Sequence, residues 1–251
     1  DYLHTLIESY RIFASDRDNI TFDYSGNNKN FYGCDEDYIT DKISLFDKNA
    51  AGKYNIPNRH GGGTAYMNAV DKNGLGVSLI QSNYFGIGSR IGVGSYGFFL
   101  HNRGCGFNLI KGHPNSLGPN KKPLHTLSPT IWSKDGSLDF ITGTRGGRYQ
   151  PQLLAQTILP YILGESSFEE IMKKPRWIIE YFGPNTPSSI KFEFIEKSVM
   201  NSLKDKGHKI LVENKLIGGY GPISTIYKNS EEKYVGVPDI RVGTEKAFNN
   251  S

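Results

Sequence analysis

Gly61-Gly62-Gly63-Thr64-Ala65-Tyr66-Met67-Asn68-Ala69-Val70-Asp71-Lys72-Asn73-Gly74 is the stretch on which the reading of this sequence turns. Three glycines lead into a β-branched hydroxyl residue. Asn73-Gly74 offers the positive φ angles of a tight hairpin, and Val77-Ser78-Leu79-Ile80 returns as the second strand. Thr64 therefore stands at the mouth of a first strand. A flexible loop feeding a strand explains the pattern without chemistry. The same residues also fit an autoprocessing junction, in which the Thr64 hydroxyl attacks the Gly63 carbonyl and hydrolysis of the ester frees Thr64 as a new N-terminus. Glycine tolerates the backbone distortion such an attack needs. The released α-amine, with a pKa near 7.7–8.0, can then serve as base for its own hydroxyl.

Outward from this hairpin, helices and strands come in blocks. Leu3, Leu6, Ile7, Tyr10, Phe13 and Ala14 recur at three- and four-residue spacing and predict a helix with one buried face; Tyr38, Ile39, Ile43 and Phe46 mark a shorter one. Thr130-Ile131-Trp132-Ser133 and Leu138-Asp139-Phe140-Ile141 flank the turn Lys134-Asp135-Gly136-Ser137 as a second hairpin. Leu153, Leu154, Ile158, Tyr161 and Ile162 predict a helix kinked by Pro160, and Ser167-Phe168-Glu169-Glu170 has capping-box spacing. Strands over 177–181 and 190–195, a helix over 199–206 closed by Gly207, and strands over 209–212, 223–227 and 234–237 complete the reading. The fold class is α+β with antiparallel sheet.

Composition excludes several functions. No apolar run approaches the roughly 18 residues of a spanning helix, and Asp1-Tyr2-Leu3-His4 has neither a basic nor an apolar leader character, so no membrane partner is expected. The missing initiator Met predicts a processed product or a fragment. Residues 1–63 carry 7 basic and 10 acidic side chains, net −3, and residues 64–251 carry 22 and 15, net +7. The basic residues are dispersed, with clusters only at Lys121-Lys122 and Lys173-Lys174-Pro175-Arg176, which reads as solvated surface and not as a nucleic-acid face. Cys34 and Cys105 could close one disulfide but not a four-ligand zinc site, and six scattered histidines lack metal-ligand spacing, so no metal is expected. In Gly86-Ile87-Gly88-Ser89-Arg90-Ile91-Gly92 the third glycine is misplaced for a dinucleotide loop, and Val93-Gly94-Ser95-Tyr96-Gly97 lacks the first glycine of a nucleophile elbow. No organic cofactor is implied.

From Gly63 to about Lys246 the chain resembles the small subunit of the γ-glutamyltranspeptidase family of N-terminal nucleophile hydrolases. The likeness runs in order through Thr64, Ala69-Val70-Asp71-Lys72-Asn73-Gly74, Ile80-Gln81-Ser82, Phe85-Gly86-Ile87-Gly88-Ser89, Leu100-His101-Asn102-Arg103-Gly104, Lys122-Pro123-Leu124-His125-Thr126-Leu127-Ser128-Pro129-Thr130 and Gly143-Thr144-Arg145-Gly146-Gly147. Ala14-Ser15-Asp16-Arg17-Asp18 resembles the end of the family's large subunit. The resemblance implies an αββα sandwich cut at Gly63-Thr64, with 1–63 the end of the large-subunit region and 64–251 the catalytic small subunit. The rest of the large subunit would be a partner, and a homodimer is one assembly it admits. Thr64 falls on the nucleophile, and Gly146 and Gly147 on the backbone donors to the oxyanion. Ser82 falls on a hydroxyl beside the nucleophile, Asn83 on a substrate-binding amide, and His125 with Thr126 on a pair lining the substrate pocket. The alternatives without chemistry are a tight turn after Ile141 for Gly146-Gly147 and turn residues before a strand for His125-Thr126.

Departures from the family pattern bear on substrate. Ala65 and Tyr66 stand where the family carries a hydroxyl residue and then a His. Cys105 falls on the acidic residue that grips the glutamyl ammonium, and a thiol cannot supply that charge-assisted bond. Asn102-Arg103-Gly104 and Ile80-Gln81-Ser82 resemble a branch that shades into acylases. The implied activity is cleavage of γ-glutamyl or related small-molecule acyl amides through acyl-Thr64, with water or an amine as acceptor. The competing expectation is an unprocessed, non-catalytic relative acting as a binding protein, which Ala65 and Tyr66 favour.

Overall fold

A computed structural model describes residues 2–23, 35–54, 63–180, 188–243 and 246–249. The decisive hairpin forms as β1 (Thr64–Val70) and β2 (Gly76–Ser82), antiparallel, with Thr64 opposite Ser82 and Val70 opposite Gly76. Both strands alternate half-buried and exposed, so Thr64, Tyr66, Asn68, Ser78, Ile80 and Ser82 share the inner face. The turn is longer than the two-residue one expected. Of Asn73 and Gly74 only Gly74 takes a positive φ, 84°, while Asp71 Oδ1 accepts from the amides of Asn73 (2.8 Å) and Leu75 (2.9 Å).

A second sheet has the order β3-β4-β8-β9 and is antiparallel throughout, from β3 (Thr130–Lys134), β4 (Ser137–Thr144), β8 (Ile223–Lys228) and β9 (Tyr234–Val237). Its first turn uses Asp135 at φ 51° and Gly136 at φ 77°, the pair of left-handed residues a tight hairpin demands. The β1–β2 hairpin lies across this sheet. A Cβ on Gly143 would meet the Tyr66 ring at 2.2 Å, and Asn68 Nδ2 donates to Ser224 O at 3.1 Å. Tyr66, unusual for the family's pattern, is thus the residue that seats the hairpin on β4, and glycine at 143 makes room for its ring.

α3 (Gln150–Ile162), with Pro160 in its last turn, and the capping-box helix α4 (Phe168–Lys173) pack against the four-stranded sheet. Phe140, Leu153, Leu154, Ile158, Phe168, Ile171 and Ile223 form the core there. A three-stranded sheet, β5 (Trp177–Glu180), β6 (Ser189–Phe192) and β7 (Lys209–Val212), departs from expectation because β6 and β7 are parallel. Parallel neighbours need a crossover, and α5 (Lys197–Asp205) supplies it. Tyr181, expected at the end of β5, lies outside the described residues. β6 stops at Phe192, where buried Glu193 turns to the amides of Arg176 and Ile217 and to Arg241.

β5 feeds two cores by its period of two: Ile178 joins the first, while Trp177 and Ile179 meet Ile190, Phe192, Leu203 and Ile7 in a second. Its free edge is closed by side chains of α3, not by a strand. Gln156 bonds both the N–H (3.1 Å) and the C=O (2.9 Å) of Trp177, and Gln152 Oε1 accepts from Ile179 N at 2.8 Å.

α1 (Tyr2–Ile20) sits on the second core and also buries His4, Glu8 and Arg11, while α2 (Glu36–Ile43) buries no residue. Glu8 pairs with Arg11 and accepts from Gly52 N; His4 reaches His208 across 204 residues, Nδ1 to Nε2, at 2.8 Å. Ala51 N donating to Lys206 O at 2.7 Å and Tyr10 OH to Arg148 O at 3.2 Å add to the ties between the first 54 residues and the remainder.

Candidate active site

β-Pairing puts the two expected hydroxyls together. Thr64 Oγ1 donates to Ser82 Oγ at 3.0 Å, and the same oxygen accepts from Tyr84 N at 3.0 Å. Gly63, the residue whose carbonyl would be attacked, has φ 105°, and a Cβ there would lie 2.0 Å from Gly86 O. Only glycine passes under that carbonyl, for both conformational and steric reasons. Gly61 and Gly62 lie outside the described residues.

The chain after Ser82 is tightly held. Tyr84 is 5% exposed and adopts φ 79°, a costly angle for a bulky side chain. Asn102 fixes the loop around it: its Oδ1 accepts from Phe85 N at 2.9 Å, and its Nδ2 donates to Gly88 O at 3.0 Å. Asn83 is half-buried with its amide turned to Ile87 O at 3.4 Å, so the structure gives it a loop contact.

Under Tyr84 lies a residue that sequence reasoning passed over. The Arg103 guanidinium stacks 5.0 Å from the Tyr84 ring and donates from Nη1 to Thr126 Oγ1 at 3.2 Å. Thr126 is buried and His125 exposed. Partial desolvation of its ring first, and then the Arg103 charge, push the His125 pKa down from its ordinary value, against a hydrogen bond with the Leu127 backbone. Cys105 is an exposed free thiol two residues from Arg103. The sequence sets Arg103 within the stretch Leu100-His101-Asn102-Arg103-Gly104 that carries the resemblance but gives it no role of its own; its burial singles it out.

Gly146 (φ 122°) and Gly147 (φ 57°) form the turn between β4 and α3. Both are half-buried, and neither amide has a hydrogen-bond acceptor among the described residues. Gly221 lies against this turn, where a Cβ would meet Arg145 O at 2.3 Å. The turn end of the first hairpin lies over Leu138 and Ile141 and Tyr66 lies over Gly143, so the progression carries Thr64 toward the end of β4 from which Gly146-Gly147 emerge. Fully buried Gln150, at the start of α3, accepts from Ser128 N at 2.8 Å and joins the Gly146-Gly147 turn to the His125-Thr126 loop. Thr64, Ser82, Arg103, Thr126 and the glycine turn are therefore linked by one run of contacts. A cleft of about 970 Å³ lies at the other end of the hairpin, between Val70, Asp71, Tyr234 and Val237. No group of three His, Cys, Asp or Glu residues suited to a metal occurs among the described residues.

A family model described as gamma-glutamyltranspeptidase matches residues 1–248. The chain is 32% identical over 231 residues to the glutathione hydrolase-like YwrD proenzyme of Bacillus subtilis, covering 89% of this chain and 42% of that protein. It is 31% identical over 181 residues to the oxamate amidohydrolase proenzyme of Klebsiella pneumoniae, covering 72% of this chain and 34% of that protein. Among solved structures it is similar to cephalosporin acylase from Bacillus halodurans, with a TM-score of 0.82 at 24% identity over 99% of this chain and 45% of that one. Gamma-glutamyltranspeptidase from Pseudomonas nitroreducens gives a TM-score of 0.62 at 21% identity over 74% of this chain and 99% of that one. The chain spans less than half the length of these curated relatives.

Proposed function

Because this chain belongs to the γ-glutamyltranspeptidase family and has the α+β fold of its N-terminal nucleophile hydrolases, we propose that it is the part of an autoprocessed threonine amidohydrolase or acyltransferase that carries the nucleophile. The observation that carries the reading is the Thr64 hydroxyl held 3.0 Å from Ser82 Oγ directly after Gly63. In processing, Thr64 Oγ1 attacks the Gly63 carbonyl carbon, the C–N bond breaks as the Thr64 nitrogen takes a proton, and water hydrolyses the ester to leave a free α-amine. In turnover that amine takes the hydroxyl proton as Oγ1 attacks an acyl amide. The tetrahedral oxyanion rests on the N–H groups of Gly146 and Gly147, which have no acceptor among the described residues, each worth about 3–4 kcal/mol. The amine leaves with the proton, and water or a second amine then takes the acyl group from Thr64.

Ser82 orients the nucleophile, and Thr126 with His125 borders the acyl group. Division at Gly63-Thr64 leaves residues 64–251, three quarters of the sequence, as the part that carries the nucleophile. Substrates are γ-glutamyl or related acyl amides, and the rest of the large subunit is the partner. Mass spectrometry of the full-length purified protein is expected to find a new N-terminus at Thr64, and Thr64→Ala to abolish both cleavage and amidase activity. An intact chain with no Thr64-dependent turnover would overturn the proposal in favour of a binding protein.

A further inference from the structure

The Arg148 carbonyl, one residue past the glycine pair, is held from outside its own turn. Gly147–Tyr149 form a single 3₁₀ turn, in which Tyr149 N donates to Gly146 O at 3.0 Å and Gln150 N to Gly147 O. The next donor in that ladder would be residue 151, but Pro151 has no N–H. The Arg148 carbonyl takes donors from α1: Tyr10 OH at 3.2 Å and Arg17 Nη1 at 3.4 Å. Tyr10 and Arg17 stand two turns apart on one side of that helix.

This grip reaches across the Gly63-Thr64 junction, since α1 precedes it and the glycine turn follows it. Asp23, just beyond α1, makes a second such contact, accepting from Lys122 N at 2.6 Å at the head of the loop that carries His125 and Thr126. The first segment therefore touches both loops that flank the site. Elsewhere on the glycine turn, Gly221 lies against Arg145 and Gly146, and its own carbonyl is held by Arg176 Nη1 at 3.1 Å. The turn is thus fixed by α1 through Arg148 and by Gly221 through Arg145 and Gly146. An amide that stabilises an oxyanion works by being aimed before the charge develops, so whatever fixes the neighbouring peptide planes fixes the donors.

We propose that Tyr10 and Arg17 are positioning residues: through the Arg148 carbonyl they set the aim of the Gly146 and Gly147 amides, so the segment before the junction stays a working part of the active site after the chain is cut. This rests on the reading of Thr64 as nucleophile and of the two glycines as oxyanion donors. The test uses the full-length processed protein and γ-glutamyl-p-nitroanilide, with kcat counted per cleaved chain. Tyr10→Phe keeps the ring that packs on the second core and removes only the hydroxyl. Tyr10→Phe and Arg17→Gln are each expected to lower kcat by about 3- to 10-fold and the pair by about 30-fold, with KM changed by less than about 2-fold, because mis-aiming a donor costs part of what removing it would. Arg17→Lys should recover part of the loss. Lys42→Gln cuts an ion pair between α2 and Asp16 of α1, so it controls for general loosening of the helix and should leave kcat unchanged. An unchanged kcat in the double variant, or an equal loss in Lys42→Gln, overturns the assignment. Hydrogen exchange in a Thr64→Ala background needs no turnover and so separates the hold on the turn from the amidase reading. The amides of Tyr149 and Gln150, which close the turn, should exchange about 10-fold faster in the double variant. Exchange at the parent's rate would mean that α1 does not hold the turn, and the proposal fails whatever becomes of the amidase reading. Faster exchange in a protein without Thr64-dependent turnover would strike the amidase reading, and with it the catalytic role, while the hold on the turn stands.

Discussion

Acid should loosen the attachment between the first segment and the rest through a single imidazole, His208. The His4–His208 contact fixes both tautomers. His4 Nε2 lies 2.9 Å from the Asp47 carbonyl, which can only accept, so this nitrogen carries the proton and Nδ1 is an acceptor. His208 Nε2 must then donate to it, which leaves His208 Nδ1 a bare, buried lone pair, 4.0 Å from Glu8 Oε1. Burial above all, with Arg11, His4 and Lys206 adding to it against Glu8, pushes the His208 pKa down from 6.5 to about 4. Between those values the unfolded chain binds a proton that the folded chain refuses, so stability falls as pH drops through that window. The gap amounts to about 3 kcal/mol lost on going from pH 7 to pH 4, about half of it near pH 5.5. Urea unfolding of the full-length protein in a Thr64→Ala background, which keeps the chain continuous, would measure this at pH 7, 5.5 and 4.5. His208→Gln keeps a donor toward His4 but cannot titrate, so its stability should converge on that of the parent as pH falls. If the two curves run parallel within about 0.5 kcal/mol, the tautomer argument is wrong.

Gly63→Ala forces a Cβ toward the Gly86 carbonyl at an unfavourable φ; self-cleavage should slow by roughly 10- to 100-fold from about 1–3 kcal/mol of strain, read as band intensities over time on a denaturing gel, and an unchanged rate would count against the junction geometry. Gln156→Leu strips the N–H and C=O of Trp177 of their partner at once, so a loss of about 2 kcal/mol or more is expected from thermal unfolding; a neutral result would mean that water replaces the amide.

Local patterns in the sequence carried much of the fold. The spacing of Leu6, Ile7, Tyr10 and Ala14 marks a helix, and alternation in 64–70 and 138–141 marks strands, because those periods are imposed by the backbone itself. The parallel pairing of β6 with β7 was not legible, since it depends on where α5 returns the chain and not on any property of either strand. The Asn73-Gly74 turn misled because the Asp71 carboxylate, a side chain outside the dipeptide, organises the loop. At the site, Thr64 and Ser82 were readable as a pair and the structure joins them. Gly146-Gly147 were readable only by resemblance, and the lack of an acceptor for their amides among the described residues is a tertiary fact. Arg103, Gln150 and the His4–His208 contact escaped because a polar residue in a sequence looks the same whether it will face water or a buried neighbour.

The glutamines on the edge of β5 have a consequence away from that edge. α3 begins at the glycine turn, and Gln152 and Gln156, one turn apart on its side, grip strand backbone at three points. A cylinder pinned in this way can neither roll about its long axis nor slide along it. The direction in which its leading peptide groups point is therefore set by clamps several residues downstream. Loosening a clamp would mis-aim those groups while leaving every atom of the turn in place, and the damage would register in turnover before it registered in binding.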